Sequence, residues 1–149
     1  MWVLSCPQTV CENVNDILAE FGLSGSWKSQ PLIPSSHQVQ IDCDLSHASV
    51  ADLASALSGT GVSAEIEIIG ADSQRLLIHP NLGIHSQAID SMGEPVLRGT
   101  QVSAMLARSN GNLAEFERHM RLATGQAWLD LLDPLRVPLE GVTYLPRAV

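Results

Sequence analysis

The chain has 149 residues, of which 45% are hydrophobic and 16% are charged, and its formal net charge is −8 at pH 7. This length allows one domain, or one small domain with an extension. The negative charge argues against nucleic acid and against an anionic membrane surface as partners, because both are bound through clustered lysine and arginine.

The negative charge belongs to the first half of the chain. Residues 1–74 carry nine acidic residues and one basic residue, Lys28, whereas residues 75–149 carry seven residues of each sign. The mean hydropathy of +0.12 lies on the apolar side of the usual range. It indicates buried faces beyond a minimal core, such as a subunit interface.

The chain begins with alternating strand and helix patterns. Residues 2–6 predict a short apolar strand, and a capping box at Thr9 and Glu12 opens a helix that Gly22 ends. A second strand is expected over residues 25–30.

A clear alternation of apolar and polar residues predicts the third strand. One face of it carries Val39, Ile41, Cys43 and Leu45, and the other face carries Gln38, Gln40, Asp42 and Asp44. A second capping box, Ser49 and Asp52, opens the next helix, which ends at Gly59. Residues 64–68 then alternate again as a fourth strand.

The second half has a different character. Residues 75–79 and 82–89 predict the strands of a hairpin. Helical patterns follow after the capping residues Thr100 and Asn112, and a shorter helical turn starts at Trp128.

The order β-α-β-β-α-β is the signature of a ferredoxin-like unit. We therefore expect an α+β fold in which residues 1–70 form an acidic ferredoxin-like unit. Residues 71–149 are expected to form a β-hairpin and C-terminal helices that pack on it as one compact domain, because the connection at 71–74 is short. Residues 142–145 are expected to add an edge strand.

The location of the protein is predicted from its thiols and its N-terminus. The start of the chain lacks a basic region followed by a long apolar segment, and no run of about 18 apolar residues occurs. The three cysteines, an odd number, fit reduced thiols better than a disulfide framework. We expect a cytoplasmic protein.

Several different short motifs lie along the chain. They are Cys6-Pro7 after the first strand, Trp27 near Gln30-Pro31, Leu82-Gly83-Ile84 in the hairpin, and Gly125, Trp128, Leu132, Pro134 and Arg136 near the end. Together they resemble, nearly end to end, an actinobacterial family known as domain of unknown function 3145. Its members tend to be encoded near fatty-acid synthesis genes. The resemblance thus implies an actinobacterial protein tied to acyl metabolism, and it transfers no catalytic residue.

The first candidate site is a thiol edge formed by Cys6, Cys11 and His47, with Cys43 nearby. We expect the first and third strands to lie side by side and parallel, so that their carboxyl ends meet the N-termini of both helices. Such an edge would lower a thiol pKa, bind a small ligand or hold a metal. The favoured alternative is that the cysteines are buried structural residues, and that no metal is bound.

The second candidate is a pair of histidines in the hairpin, His79 and His85. With Cys6 they are the candidates for catalysis, since a histidine there can act as a general base. No acid or nucleophile at a recognisable spacing completes a catalytic set, which favours two partly exposed histidines without a catalytic role. The chain has no phosphate-binding glycine loop, HExxH or CxxC motif, so no cofactor is expected.

The third candidate is an interaction surface on the sheet face opposite the helices. Its members are polar side chains from two strands: Gln38, Gln40, Asp42, Glu65 and Glu67. Either this face stays in water, or arginines of the second half cover it, from the same chain or from a neighbouring subunit.

These features favour a non-enzymatic binding or regulatory module that acts through a protein partner or a small ligand. The resemblance implies fatty-acid synthesis proteins as partners, and a homodimer is the expected assembly. One alternative is a small cytoplasmic enzyme that uses the Cys6/Cys11/His47 edge or the His79/His85 hairpin. Another is a purely structural assembly protein.

Overall fold

A computed structural model describes residues 1–137, except for the side chains of His47 and Ala48. The strands are β1 (Trp2–Pro7), β2 (Lys28–Ser29), β3 (Ser36–Gln40), β4 (Ser63–Ile68), β5 (Gln74–His79) and β6 (Gly83–Ala88). The helices are α1 (Cys11–Glu20), α2 (His47–Ser58), α3 (Gly99–Arg108), α4 (Leu113–Ala123) and α5 (Gln126–Leu132). The mixed α+β class is confirmed, and the edge strand predicted at 142–145 lies outside the described residues.

All six strands form one sheet in the order β2-β3-β1-β4-β5-β6, and every neighbouring pair is antiparallel. The expectation of parallel first and third strands is therefore wrong. In the register of β1 and β3, Trp2 lies opposite Gln40 and Cys6 lies opposite His37. The reason is the antiparallel pairing of β2 with β3, which reverses the chain before β3 enters the sheet.

The sheet also joins the two halves of the chain. Ile66 of β4 lies opposite Leu76 of β5, and β6 continues the sheet beyond β5. The predicted hairpin therefore extends the sheet of the first half. As a result, other parts of the chain pack against both faces of the central strands.

The main core lies between one face of the sheet and the helices α1 and α2. The amphipathic stripes of these helices supply Val14, Leu18, Leu53 and Leu57, each at most 1% exposed. Burial of such a side chain stabilises the fold by about 1.5–3 kcal/mol.

A second, smaller core lies on the opposite face of the sheet. Trp2 and Leu4 of β1 and Leu77 of β5 pack there against Leu129 and Leu132 of α5. Because β1 is buried on both faces, its sequence is apolar without alternation.

The helix starts differ from the predicted capping boxes. A 3₁₀ turn occupies Gln8–Val10, and α1 begins at Cys11 without a side-chain cap. The cap of α2 is Ser46, whose hydroxyl accepts a hydrogen bond of 3.3 Å from the Ser49 amide. Within residues 1–137 we find no helix with the length and apolar character needed to span a bilayer.

Candidate functional site

The structure brings two of the predicted thiols together. Cys6 lies near the end of β1 and is fully buried in the main core, whereas Cys11 opens α1 and is partly exposed. The 3₁₀ turn between them folds the chain back on itself. As a result the two Sγ atoms are 3.3 Å apart.

The histidine whose side chain lies beside this pair is His37. The Nδ1 atom of His37 is 3.8 Å from Sγ of Cys11. Because β3 is antiparallel to β1, its carboxyl end and the segment leading to His47 lie at the opposite end of β1 from Cys6. The antiparallel register would have pointed to His37, since it is the residue across from Cys6.

The remaining thiol does not join the edge. Cys43 is exposed, and the prediction that it faces the core is wrong. The regular strand β3 ends at Gln40, so the alternation in the sequence continues beyond the strand and does not report burial there.

The electrostatics of the edge also differ from the expectation. Burial raises the pKa of the Cys6 thiol to about 12, and the hydrogen bond and charge of Cys11 add to the effect. The edge therefore does not lower the pKa of Cys6. Within the part of the chain that the structure describes, no group of three or more histidine, cysteine or acidic residues is arranged to hold a metal ion.

The two histidines of the hairpin lie on the same face of neighbouring strands. His85 is opposite Leu77, two residues before His79. Its ring stacks on Trp128 at a centroid distance of 4.8 Å, and its Nε2 atom is 3.3 Å from Oε1 of Gln87. Burial lowers the pKa of both His79 and His85. The ring of His85 thus contacts an indole, a side-chain amide and the backbone of Ala123, none of which supplies a general acid or base.

The polar sheet face carries a buried ion cluster around Glu65. Its carboxylate accepts a 2.9 Å contact from Arg75 Nε and also pairs with Arg136, which follows α5. Arg136 in turn donates a 2.7 Å hydrogen bond to Asp133, and its guanidinium lies 5.9 Å from the centre of the Trp2 ring. Burial alone would lower the pKa of Arg136, but the charges and hydrogen bonds of Glu65 and Asp133 outweigh it and raise that pKa.

The predicted interaction surface is therefore divided into a covered and an open part. Gln38 is buried and donates a 3.4 Å hydrogen bond to the carbonyl of Val137. Gln40 is half-buried, whereas Asp42 is exposed beyond the end of β3. Glu67 is exposed at 43% of its side chain and pairs with Arg75. Other residues of the same chain thus cover Gln38 and Glu65. The role of this surface in binding stays a prediction.

The helices α3 and α4 form another exposed surface, which the sequence patterns do not indicate. Helix α3 packs on α4, and α4 packs on both α3 and α5, but these contacts bury little: α3 buries Met105, and α4 has no buried residue. Large apolar side chains on them are exposed, with Leu113 at 77% and Leu106 at 57%. Apolar residues at helical spacing are typical of core positions, so only their exposure in the fold marks this surface.

A family model described as "Protein of unknown function (DUF3145)" matches residues 1–147. The chain belongs to the DUF3145 family. No curated protein matches this chain. No solved structure matches it either.

Membership of DUF3145 confirms the predicted family of unknown function and extends over nearly the whole chain. It assigns no reaction to the thiols or to the histidines of this DUF3145 protein. Cys6, His79 and His85 therefore stay predictions as catalytic residues, and Cys6, Cys11 and His47 stay a prediction as a ligand-binding edge. The side chains that the structure brings together there are those of Cys6, Cys11 and His37.

Proposed function

We propose that this DUF3145 protein is a non-enzymatic protein-binding module that docks an acidic partner on the helical pair α3 and α4. The observation that carries the proposal is the exposure of large apolar side chains on two adjacent helices. Leu106 of α3 is 57% exposed, and Leu113 at the start of α4 is 77% exposed. Clustered exposed apolar side chains are typical of sites that bind another protein.

The charge of the helical pair supports an acidic partner. Residues 98–125 contain four arginines and two glutamates, within a chain whose net charge is −8. All four arginines are exposed. They are Arg98, Arg108, Arg118 and Arg121. A basic rim around apolar side chains attracts a negatively charged protein and orients it.

The partner we propose is acyl carrier protein, as an acidic protein of fatty-acid synthesis. Its link to this chain comes from the family resemblance, and its charge fits the arginines of α3 and α4. Apolar contacts at Leu106 and Leu113 would then provide the affinity, and the arginines would set the rate and orientation of association.

The proposal is tested by titrating the full chain with acyl carrier protein in a calorimeter. We expect binding that weakens as salt is added, because exposed charges are screened. Leu113→Glu should weaken the affinity at least tenfold. Leu32→Glu is the matched control, since Leu32 is 59% exposed outside these helices and its replacement should leave the affinity unchanged.

Two outcomes would contradict the proposal. One is the absence of heat and of co-elution with acyl carrier protein at low salt. The other is a dimer in light scattering that Leu113→Glu converts to a monomer, because the helical pair would then belong to a second copy of the chain.

We also infer that β1 to β4 with α1 and α2 form a ferredoxin-like unit. The support is the partial order β2-β3-β1-β4 with all pairs antiparallel and with both helices against one face. In this interpretation β5, β6 and the C-terminal helices are the addition that carries the binding surface.

A further inference from the structure

Cys6 and Cys11 form a contacting thiol pair that the protein-binding proposal does not use. Their Sγ atoms are 3.3 Å apart, and neither is in a disulfide. A disulfide bond is about 2.05 Å long, so the atoms must approach by about 1 Å. A small rotation of the Cys11 side chain can supply this, because Cys11 lies at the start of α1 and is only partly buried.

The two thiols differ in access and in surroundings. The Cys11 thiol is partly exposed and donates toward the Pro7 carbonyl at 3.5 Å, with His37 Nδ1 at 3.8 Å on another side. The Cys6 thiol is fully buried and lies against the partly exposed Cys11 thiol. The exposed thiol is thus placed to react first and the buried one to react second.

We propose that Cys6 and Cys11 are a redox pair, which a low-molecular-weight disulfide oxidises reversibly to an intramolecular disulfide. The proposal rests on the contact between the two thiols, on the difference in their exposure and on the neighbouring imidazole. It is independent of the partner that α3 and α4 bind.

The reaction has two exchange steps. In the first, Cys11 passes its proton to Nδ1 of His37, and its thiolate attacks one sulfur of the external disulfide. A mixed disulfide forms and one thiolate leaves, which takes up that proton from His37. In the second, Cys6 loses its proton and attacks Sγ of Cys11, and the second external thiolate leaves and takes up the proton. Two protein thiols are oxidised by two electrons, and the external disulfide is reduced to two thiols.

The second step should be the slow one. Burial raises the pKa of the Cys6 thiol, so few molecules carry its thiolate at neutral pH. The mixed disulfide on Cys11 should therefore accumulate briefly, and its conversion should become faster as the pH rises.

The test uses the full-length reduced chain with an excess of oxidised glutathione, followed by intact mass and peptide mapping. We expect a peptide in which Cys6 is joined to Cys11, a transient glutathione adduct on Cys11, and reversal by dithiothreitol. Cys43 is an internal control, because it is exposed and should keep its glutathione. A Cys43→Ser chain should end without any adduct and two hydrogen atoms lighter than the reduced form.

Two variants separate the roles of the thiols. Cys6→Ala should leave a stable glutathione on Cys11, and Cys11→Ala should make Cys6 react at least tenfold more slowly than Cys43. His37→Ala should slow the first step at neutral pH, whereas His79→Ala is the control and should not.

The proposal is overturned if Cys11 keeps its glutathione in the presence of Cys6, or if Cys6 and Cys11 both stay reduced while Cys43 reacts. The unsubstituted chain and Cys43→Ser decide between these outcomes even where Cys6→Ala does not fold, since neither of them changes the core.

Discussion

Glu65 shows how one residue connects the two halves of the chain. Its side chain is 6% exposed and lies between Arg75, at 3%, and Arg136, at 22%. Enclosing a carboxylate is unfavourable unless opposite charges and hydrogen bonds replace the water. Here one arginine comes from the neighbouring strand and the other from the segment after α5. The ion cluster therefore fixes where that segment crosses the sheet.

Glu65→Gln is expected to destabilise the fold by about 3 kcal/mol, because two enclosed guanidinium groups lose a shared counter-charge. The matched control is Glu67→Gln, whose side chain is 43% exposed and pairs with the same Arg75. It should cost less than about 1 kcal/mol. Urea unfolding of the unsubstituted chain and of the two variants at neutral pH measures both changes in the free energy of unfolding. Equal decreases for the two variants would contradict the prediction that burial of Glu65 makes its ion pairs more important for stability.

The thiols Cys6 and Cys11 also contact a residue that is distant in the sequence. The sequence indicates that Cys6 and Cys11 are near one another, because only a short turn separates them. It does not indicate that His37 joins them, since that contact depends on the antiparallel pairing of β1 with β3. Chemistry that depends on strand register is not visible in local spacing.

Gly125 is the junction between α4 and α5, and it decides how these elements sit on the sheet. Its φ of +71° lies in the left-handed region that favours glycine. A Cβ atom there would lie 2.7 Å from Oε1 of Gln87 and 2.8 Å from Cδ2 of His85. The close approach lets α5 cover the second core.

Gly125→Ala should therefore lower the free energy of unfolding by about 3 kcal/mol, through backbone strain and overpacking together. Gly111→Ala is the control at the end of α3, where φ is +77° and nothing lies within 4 Å of the added Cβ. That variant should cost only about 1 kcal/mol. Denaturant melts compare the two, and similar losses would mean that the contact with β6 does not limit the fit.

Helix and strand formation follow short-range patterns, and most predicted elements are present for that reason. The capping boxes were less reliable, because α2 begins at His47 and uses Ser46 as its cap. Serines at several neighbouring positions can each cap a helix, so the choice depends on where the preceding chain leaves the sheet.

At the scale of the whole molecule, the sheet makes the halves interdependent. Leu76 and Ile78 of β5 belong to the main core that α1 and α2 cover. Leu129 and Leu132 of α5 cover Trp2 on the other face. Neither half encloses its own apolar faces without the other.

We expect the full chain to unfold in one cooperative transition, with the same midpoint by circular dichroism and by tryptophan fluorescence. A fragment of residues 1–70 should lack a cooperative transition, because it loses the β5 side of the main core and the cover of the second core. Two separated transitions in the full chain, or a cooperative melt of the fragment, would contradict this prediction.

The sequence by itself determined the α+β class, the positions of most helices and strands, the acidic first half and the family, because periodicity, composition and motif order are properties of the linear chain. Only the tertiary structure decided that β1 and β3 are antiparallel, that Cys43 is exposed, that Glu65 is enclosed and that Leu113 is left uncovered. These features depend on which distant segments of the chain contact each other. The free energy that favours those contacts is a sum over the whole fold, so no short stretch of sequence specifies them.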